Sequence, residues 1–210
     1  MKPTSFDHVA LWVAERDAHA DLLCSQFGMH VIDRTDDFTL VGADARQGKV
    51  TLFDEQGPRE PGVLGPSVFR VRDLEEPVFV DGPEGVRYGL VAGAGELDYD
   101  LDHVVLRVAD PEGTAEGLAG LGFERRDGAL WVADRSVRLE GGGDGSVDRP
   151  LLNHLALLVD SAGDHLDEAR GRGLEVDDVK DAANTLAVFV RGPEGIRVEY
   201  VEHKPTFSLI

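Results

Sequence analysis

The sequence predicts an α+β chain assembled from four β-α-β-β-β-type modules, the second of them lacking its helix. Three observations lead there. The text Val78-Phe-Val-Asp-Gly-Pro-Glu-Gly-Val-Arg-Tyr-Gly89 returns as Val188-Phe-Val-Arg-Gly-Pro-Glu-Gly-Ile-Arg-Val-Glu199, displaced by 188 − 78 = 110 positions. A strand-like opening recurs as Phe6-Asp-His8-Val-Ala-Leu-Trp-Val13, Leu101-Asp-His103-Val-Val-Leu-Arg-Val108 and Leu152-Asn-His154-Leu-Ala-Leu-Leu-Val159, with Leu64-Gly-Pro66-Ser-Val-Phe-Arg-Val71 as its fourth, eroded copy. Finally, helical spacing follows three of these four openings and stops at glycine each time, at Gly28, Gly122 and Gly173.

In the first module the strand from Phe6 leads into a helix over about 15–27, with Leu22, Leu23 and Phe27 on its apolar side. Short strands follow around 30–33, 38–41 and 49–53. In the second module Asp73 to Pro77 is too short and too proline-bounded for a helix, so only strands are predicted up to Val91. Ala92-Gly-Ala-Gly-Glu96 reads as a linker, dividing the chain into a first half, 1–96, and a second, 97–210. The third module opens its helix with Asp110-Pro111-Glu112, a capping residue, a proline at the first helical position and an early acid. Strands are expected at 123–126, 129–133 and 137–140, before the flexible run Gly141-Gly-Gly-Asp-Gly-Ser. The fourth has Asp160-Ser161 as a cap, a helix over about 162–172, and the hairpin around Gly192-Pro-Glu-Gly195.

Composition removes several function classes. Forty acidic against 21 basic residues give a net charge of −19, which repels phosphate backbones and anionic bilayers, so neither nucleic acid nor membrane is expected as a partner. No apolar run has transmembrane length and no secretory leader precedes Phe6, so a soluble cytoplasmic protein is expected. The single cysteine, Cys24, excludes an intrachain disulfide and a thiolate cluster, and its apolar neighbours suit a small core residue. The expected partners are a small-molecule substrate and, at most, a second copy of the chain in a homodimer.

The candidate site comes from the repeat. Glu199 lies within an apolar strand, where a carboxylate is costly unless it is paired, exposed or bound to a cation. Gly89 at its counterpart position shows that the fold does not require it. Superposing Val137-Arg-Leu-Glu140 on Ile196-Arg-Val-Glu199 makes Glu140 a second candidate carboxylate. Alternation puts His103 with Arg107 on one strand face and Arg197 with Glu199 on another. We therefore expect His103, His154 and Glu199 to bind a metal. His8 is read as structural because its half lacks partners, although pairing of the first module with the fourth would let it replace His103. His19, His165 and His203 are read as surface residues.

On these motifs the chain resembles the vicinal oxygen chelate superfamily, which contains glyoxalase I, bleomycin-resistance proteins and extradiol dioxygenases. The resemblance implies modules paired into two open barrels, with histidine on a first strand and glutamate on a last strand facing a metal. Four modules with ligands in the second half resemble the extradiol dioxygenases most, which implies His103, His154 and Glu199 as an Fe(II) triad acting on a catechol-like substrate. Phe189 stands where those enzymes carry a tyrosine. Arg107, Phe189, Lys180 and Asn184 are the substrate-side candidates, and Arg197 could pair with a substrate carboxylate. A glyoxalase-like alternative adds Glu140 as fourth ligand and base, with Zn, Ni, Co or Mn in place of iron, for lyase or isomerase chemistry. A metal-free binding protein would instead show aromatic surfaces, for which Trp131 and Phe189 are the obvious candidates.

Overall fold

The apolar openings of the four modules all form strands, and these become the centres of two sheets. The computed structural model describes residues 1–95 and 97–209; Glu96, the end of the expected linker, and Ile210 lie outside them. The first module comprises β1 (Ser5–Val13), α1 (Arg16–Phe27), β2 (His30–Arg34), β3 (Phe38–Gly42) and β4 (Lys49–Asp54). The second comprises β5 (Leu64–Val71), β6 (Val78–Asp81) and β7 (Arg87–Ala92), without a helix. The third runs β8 (Asp100–Val108), α2 (Pro111–Gly120), β9 (Glu124–Arg126), β10 (Ala129–Val132) and β11 (Arg135–Gly141). The fourth runs β12 (Leu152–Leu158), α3 (Ala162–Gly171), β13 (Val176–Asp181), β14 (Thr185–Arg191) and β15 (Arg197–His203). The predicted caps are in place, with the Asp110 and Ser161 side chains accepting from Gly113 N and Asp164 N at 3.1 Å each. Strand β13 has no counterpart in the sequence reading. Its Val-Asp-Asp-Val-Lys-Asp text is that of an exposed edge strand, where only one neighbour constrains the side chains.

Module pairing decides where the site can be. One sheet has the order β13-β14-β15-β12-β1-β4-β3-β2 and the other β6-β7-β5-β8-β11-β10-β9. Within each module the first strand pairs in parallel with the last: β1 with β4, β5 with β7, β8 with β11, β12 with β15. The modules are joined by antiparallel pairs of first strands, β1 with β12 and β5 with β8. Module one is therefore joined to four, and two to three. Residues 1–96 and 97–210 are divisions of the chain order, each giving one module to each sheet.

The repeated Gly-Pro-Glu-Gly text has a use beyond turning the chain. Both copies form a 3-10 turn whose glutamate has a positive φ, 55° at Glu84 and 51° at Glu194. Such a conformation costs a non-glycine residue about 1 kcal/mol or more and persists only where contacts compensate. The Glu84 carboxylate accepts from Ala14 N (2.9 Å) and Glu15 N (3.1 Å), just ahead of α1. The Glu194 carboxylate accepts from Ala109 N and Asp110 N, both at 2.8 Å, and from the Thr114 hydroxyl, just ahead of α2. Each turn thus caps the helix start of the preceding module, satisfying backbone donors that a helix leaves open.

The core is shared between the sheets. Phe27 of α1 packs edge-on against Phe69 and Tyr88 of the second sheet, and the Tyr200 hydroxyl donates to Leu121 O at 2.7 Å. His19 and His165 are buried with them, His19 bonded to the Tyr88 hydroxyl (2.9 Å) and His165 stacked on Tyr200, contrary to their reading as surface residues. Helix periodicity over so few apolar positions did not show that both sides of α1 are covered. Cys24 is half-buried against the core and free.

Candidate metal centre

In the pairing of β1 with β12, Ala10 lies opposite His154 and His8 opposite Ala156, while in the parallel pairing of β12 with β15, Ala156 lies beside Glu199. His8, His154 and Glu199 therefore meet on three adjacent strands. Their ligand atoms all lie within 4.8 Å of one another, and all three residues are buried. The two Nε2 atoms are 3.1 Å apart, and Glu199 Oε2 lies 2.9 Å from His154 Nε2 and 3.4 Å from His8 Nε2.

The register slips by one residue at Asp7 and again at Asn153, so each is the extra residue of a β-bulge directly before its histidine. A bulge re-aims a side chain that regular alternation would send to the opposite face. Asp7 Oδ2 thereby accepts a hydrogen bond from His8 Nδ1 at 2.6 Å, and Asn153 Oδ1 accepts one from His154 Nδ1 at 2.9 Å. Behind each acceptor stands a cation. Lys49, register partner of His8, donates to Asp7 Oδ2 at 2.5 Å, and Arg197 donates to Asn153 Oδ1 at 3.0 Å. Two donors converge on the one Asn153 oxygen, which fixes the amide's orientation and the tautomer of His154.

Electrostatics keep His154 available as a neutral donor. Burial pushes the His154 imidazole below its ordinary pKa, with Glu199 opposing only in part. Burial would raise the Glu199 carboxyl, but His154 and His8 outweigh it and hold the group ionised. Burial likewise would raise Asp7, yet Lys49 and then His8 hold it far below the usual carboxylate range.

A divalent ion fits this set. With both Nδ1 atoms carrying the proton, both Nε2 lone pairs point at a shared space, and Glu199 Oε2 is buried there without a hydrogen bond. Oxygen and nitrogen ligands at about 2.1 Å and right angles lie about 3 Å apart, close to the three separations found. Three mutually adjacent donors occupy one face of an octahedron. At the register position equivalent to Glu199 the first module has Thr51, beside Ala10, where a second carboxylate would be a fourth ligand.

Aromatic rings wall one side. Phe189 packs on His154 at 5.2 Å between centroids, Phe53 at 6.1 Å, and Trp12 and Phe38 continue from Phe53 at 5.2 and 5.9 Å. On the other side His203 is mostly buried, its Nε2 3.6 Å from Asp7 Oδ1 and its ring stacked on Phe207. This corrects its reading as a surface residue: it ends β15 on the face that carries Glu199.

Several expected residues lie elsewhere. His103 is on β8 in the other sheet, with its Nδ1 on Asp102 at 2.5 Å, and the structure does not bring it to His154 and Glu199. Strand text alone left the pairing of the first strands open, and that pairing put His8 where His103 was expected. Glu140 is exposed at the end of β11, 3.4 Å from Arg107, so neither is near the cluster. By register the counterpart of Glu199 in that module is Arg138, beside Val105, two residues before Glu140. Arg197 is on the site's face but is already engaged by Asn153, by Asp177 at 2.6 Å and by the Phe189 ring at 4.4 Å. Lys180 is on the exposed edge strand with Asp178, Asn184 holds the C-terminal segment through Ser208 N, and Trp131 is in the second sheet. Asp7, Asn153, Lys49 and Thr51 were not anticipated. The acidic or amide residue before each histidine was the available signal.

Comparison with known proteins agrees with this architecture. The sequence matches the family described as the Glyoxalase/Bleomycin resistance protein/Dioxygenase superfamily over residues 5–200. No curated protein sequence is significantly similar to it. Among solved structures, a Bacillus subtilis protein described as a dioxygenase superposes with a TM-score of 0.77 at 18% identity, covering 98% of this chain and 87% of that one. Glyoxalase I from Zea mays gives 0.67 at 18% identity, covering 94% and 92%, and the cppA protein of Streptococcus pneumoniae gives 0.65 at 11%, covering 95% and 98%. The expected open-barrel fold is the one these structures share. With the match spanning nearly its whole length, the chain belongs to the Glyoxalase/Bleomycin resistance protein/Dioxygenase superfamily.

Proposed function

We propose that the protein is an Fe(II)-dependent extradiol-type dioxygenase that opens the ring of a small catechol-like aromatic. The observation that supports this over a four-ligand lyase or isomerase is Thr51: among the described residues the donor set is two imidazoles and one carboxylate, and the expected fourth ligand, Glu140, is in the other sheet. Iron held by three donors on one face would supply open positions at which a catecholate and dioxygen come together.

The chain's own residues have definable parts in this reading. Glu199 offsets part of the metal charge, and the Asp7 and Asn153 hydrogen bonds to Nδ1 turn both Nε2 atoms toward the metal position. Phe189, Phe53 and Trp12 give an aromatic ring an apolar wall and exclude water from one side of the cluster. Phe189 has no hydroxyl to bond a substrate oxygen, so in this reading proton transfer falls to Lys49 and His203, on the side opposite the aromatic wall.

Oxygen uptake by Fe(II)-loaded protein tests the reading. With a matching catechol, added anaerobically and then exposed to air, one dioxygen should disappear per ring opened. No uptake across a panel of catechols, at full iron occupancy, would overturn it.

A further inference from the structure

The loop that delivers Lys49 to the first barrel's cluster is held from the second barrel. Residues 43–48 join β3 to β4 without regular structure, and Lys49 follows directly as the first residue of β4. Gly48 is packed between the two barrels. Its N–H donates to the carbonyl of the bulged Asp7 at 2.9 Å, while a Cβ built on it would meet Asp100 Oδ1, at the start of β8, at 2.3 Å. Its φ of +67° is a second reason for glycine there.

Asp100 is fixed in turn by two buried arginines of its own barrel. Arg135, the first residue of β11, donates to it through Nε at 3.1 Å and through Nη2 to both oxygens at 2.9 Å. Arg70, the register partner of Asp100 on β5, donates at 2.6 Å. The two guanidiniums differ in what else they reach. Arg70 turns to the carbonyl and carboxylate of Asp134, at 3.3 and 2.5 Å. Arg135 crosses to the first barrel, where Nη2 donates to Gln47 Oε1 at 3.0 Å and Nη1 to the Ser5 hydroxyl. Ser5 stands two residues before Asp7, and Gln47 two before Lys49. One side chain therefore clamps both stretches of backbone that supply the ion pair behind His8.

We propose that Arg135 of the second barrel is a positioning residue for the metal centre of the first, acting through Gln47, Lys49 and Asp7 on His8. The proposal rests on the reading of His8, His154 and Glu199 as that centre. Asp7 needs such a hold. Its Oδ1 is buried without a hydrogen bond among the described residues, with His203 Nε2 beyond bonding reach at 3.6 Å. Oδ2, shared by Lys49 Nζ and His8 Nδ1, therefore sets the carboxylate's orientation. Lys49 meets it on a flexible four-carbon stem, so its placement depends on where the loop ends. A guanidinium bonds Asp100, Gln47 and Ser5 together because its five donors diverge from one rigid plane, whereas an ammonium keeps the charge without that span. His154 is held separately, by Asn153 and Arg197.

Arg135→Lys and Arg70→Lys separate positioning from stability. Both keep a positive charge beside Asp100 and both loosen its bonding, so both should lower the melting temperature. Only Arg135→Lys gives up the bonds to Ser5 and Gln47. Co(II) affinity, measured by competition with a chelator, should fall about tenfold or more in Arg135→Lys, as loss of outer contacts to metal-ligating histidines does, and stay at the parent value in Arg70→Lys. Gln47→Leu, at a half-buried loop position with the ion cluster intact, should weaken Co(II) binding about two- to tenfold, the share of one hydrogen bond. In metal-free protein carrying isotope-labelled histidine, the His8 Nδ1 proton resonance should move in Arg135→Lys and Gln47→Leu while that of His154 stays. Because the resonance needs no metal, a parent protein that took up no Co(II) would refute the metal centre and leave the positioning to be decided by the resonance alone. An unmoved His8 resonance, equal Co(II) affinity in Arg135→Lys and parent, or an equal loss in both arginine variants would overturn the proposal.

Discussion

The two barrels have one architecture and different chemistry, and the difference isolates what the scaffold requires. In both, first strands from two modules pair antiparallel, last strands flank them in parallel, and a bulged acidic or amide residue holds a histidine by Nδ1. In the first barrel a cation backs each such residue, Lys49 at the register of His8 and Arg197 one residue before the Val198 partner of Leu155. In the second, the position beside His103 is Ser136. The fold therefore needs the bulge and the strand pairing, whereas the donor set and a cation bonded directly to each bulged residue belong to one barrel. Function follows from side chains at a few register positions that the backbone leaves free.

The largest effect expected from that comparison is at Glu199. Glu199→Ala should reduce bound metal from about one equivalent per chain to near none, because metal affinity depends on the full ligand set. Thermal stability of the metal-free protein should hold or rise, since a buried carboxylate oxygen without a hydrogen bond is removed and Gly89 shows the strand tolerates the loss. Metal analysis beside a melting curve checks both parts. Metal retained at parent stoichiometry would break the proposed contrast between the barrels.

Next comes Thr51→Glu, which supplies the missing fourth donor. The variant should hold metal at least as tightly as the parent yet lose catechol-dependent oxygen uptake, because an open position is filled. Full uptake with the substitution in place would mean that Thr51 does not face the metal.

A smaller effect is expected from the relay. Arg197→Met should leave His154 free to rotate and to change tautomer, weakening metal binding by about 10- to 100-fold, read by competition with a chelator. An unchanged affinity would assign Arg197 to packing against Phe189 alone.

The smallest effect concerns what both halves share. Glu194→Ala removes the acceptor for Ala109 N and Asp110 N and should cost about 1–2 kcal/mol, as losses of helix-start caps do, lowering the melting temperature by a few degrees. Metal content should not change. A melting temperature equal to the parent's would show that the turn glutamate is only a turn residue.

Much of this architecture was legible before the fold was seen, because strand alternation, helix stops and a 110-residue repeat are local or self-referential signals. The strand openings at Phe6, Leu64, Leu101 and Leu152, the Asp110 and Ser161 caps and the position of Glu199 all follow from text within one module. Which first strand lies beside which does not. His8, His103 and His154 are equivalent in sequence, and only the tertiary pairing of β1 with β12 separates them. The superposition of Glu140 on Glu199 failed for a related reason: two strands of similar text align equally well at two offsets by sequence, and the parallel register to β8 selects Arg138. Lys49, in contrast, was hidden because a buried lysine is meaningful only beside the bulged Asp7 that it meets.

The central claim is that His8, His154 and Glu199 form one metal centre across the first and fourth modules. Its most direct test is metal content after anaerobic Fe(II) loading and desalting of parent, His8→Ala and His103→Ala proteins. The account predicts about one iron per chain in the parent and in His103→Ala, and almost none in His8→Ala. Iron lost from His103→Ala but kept by His8→Ala would contradict it.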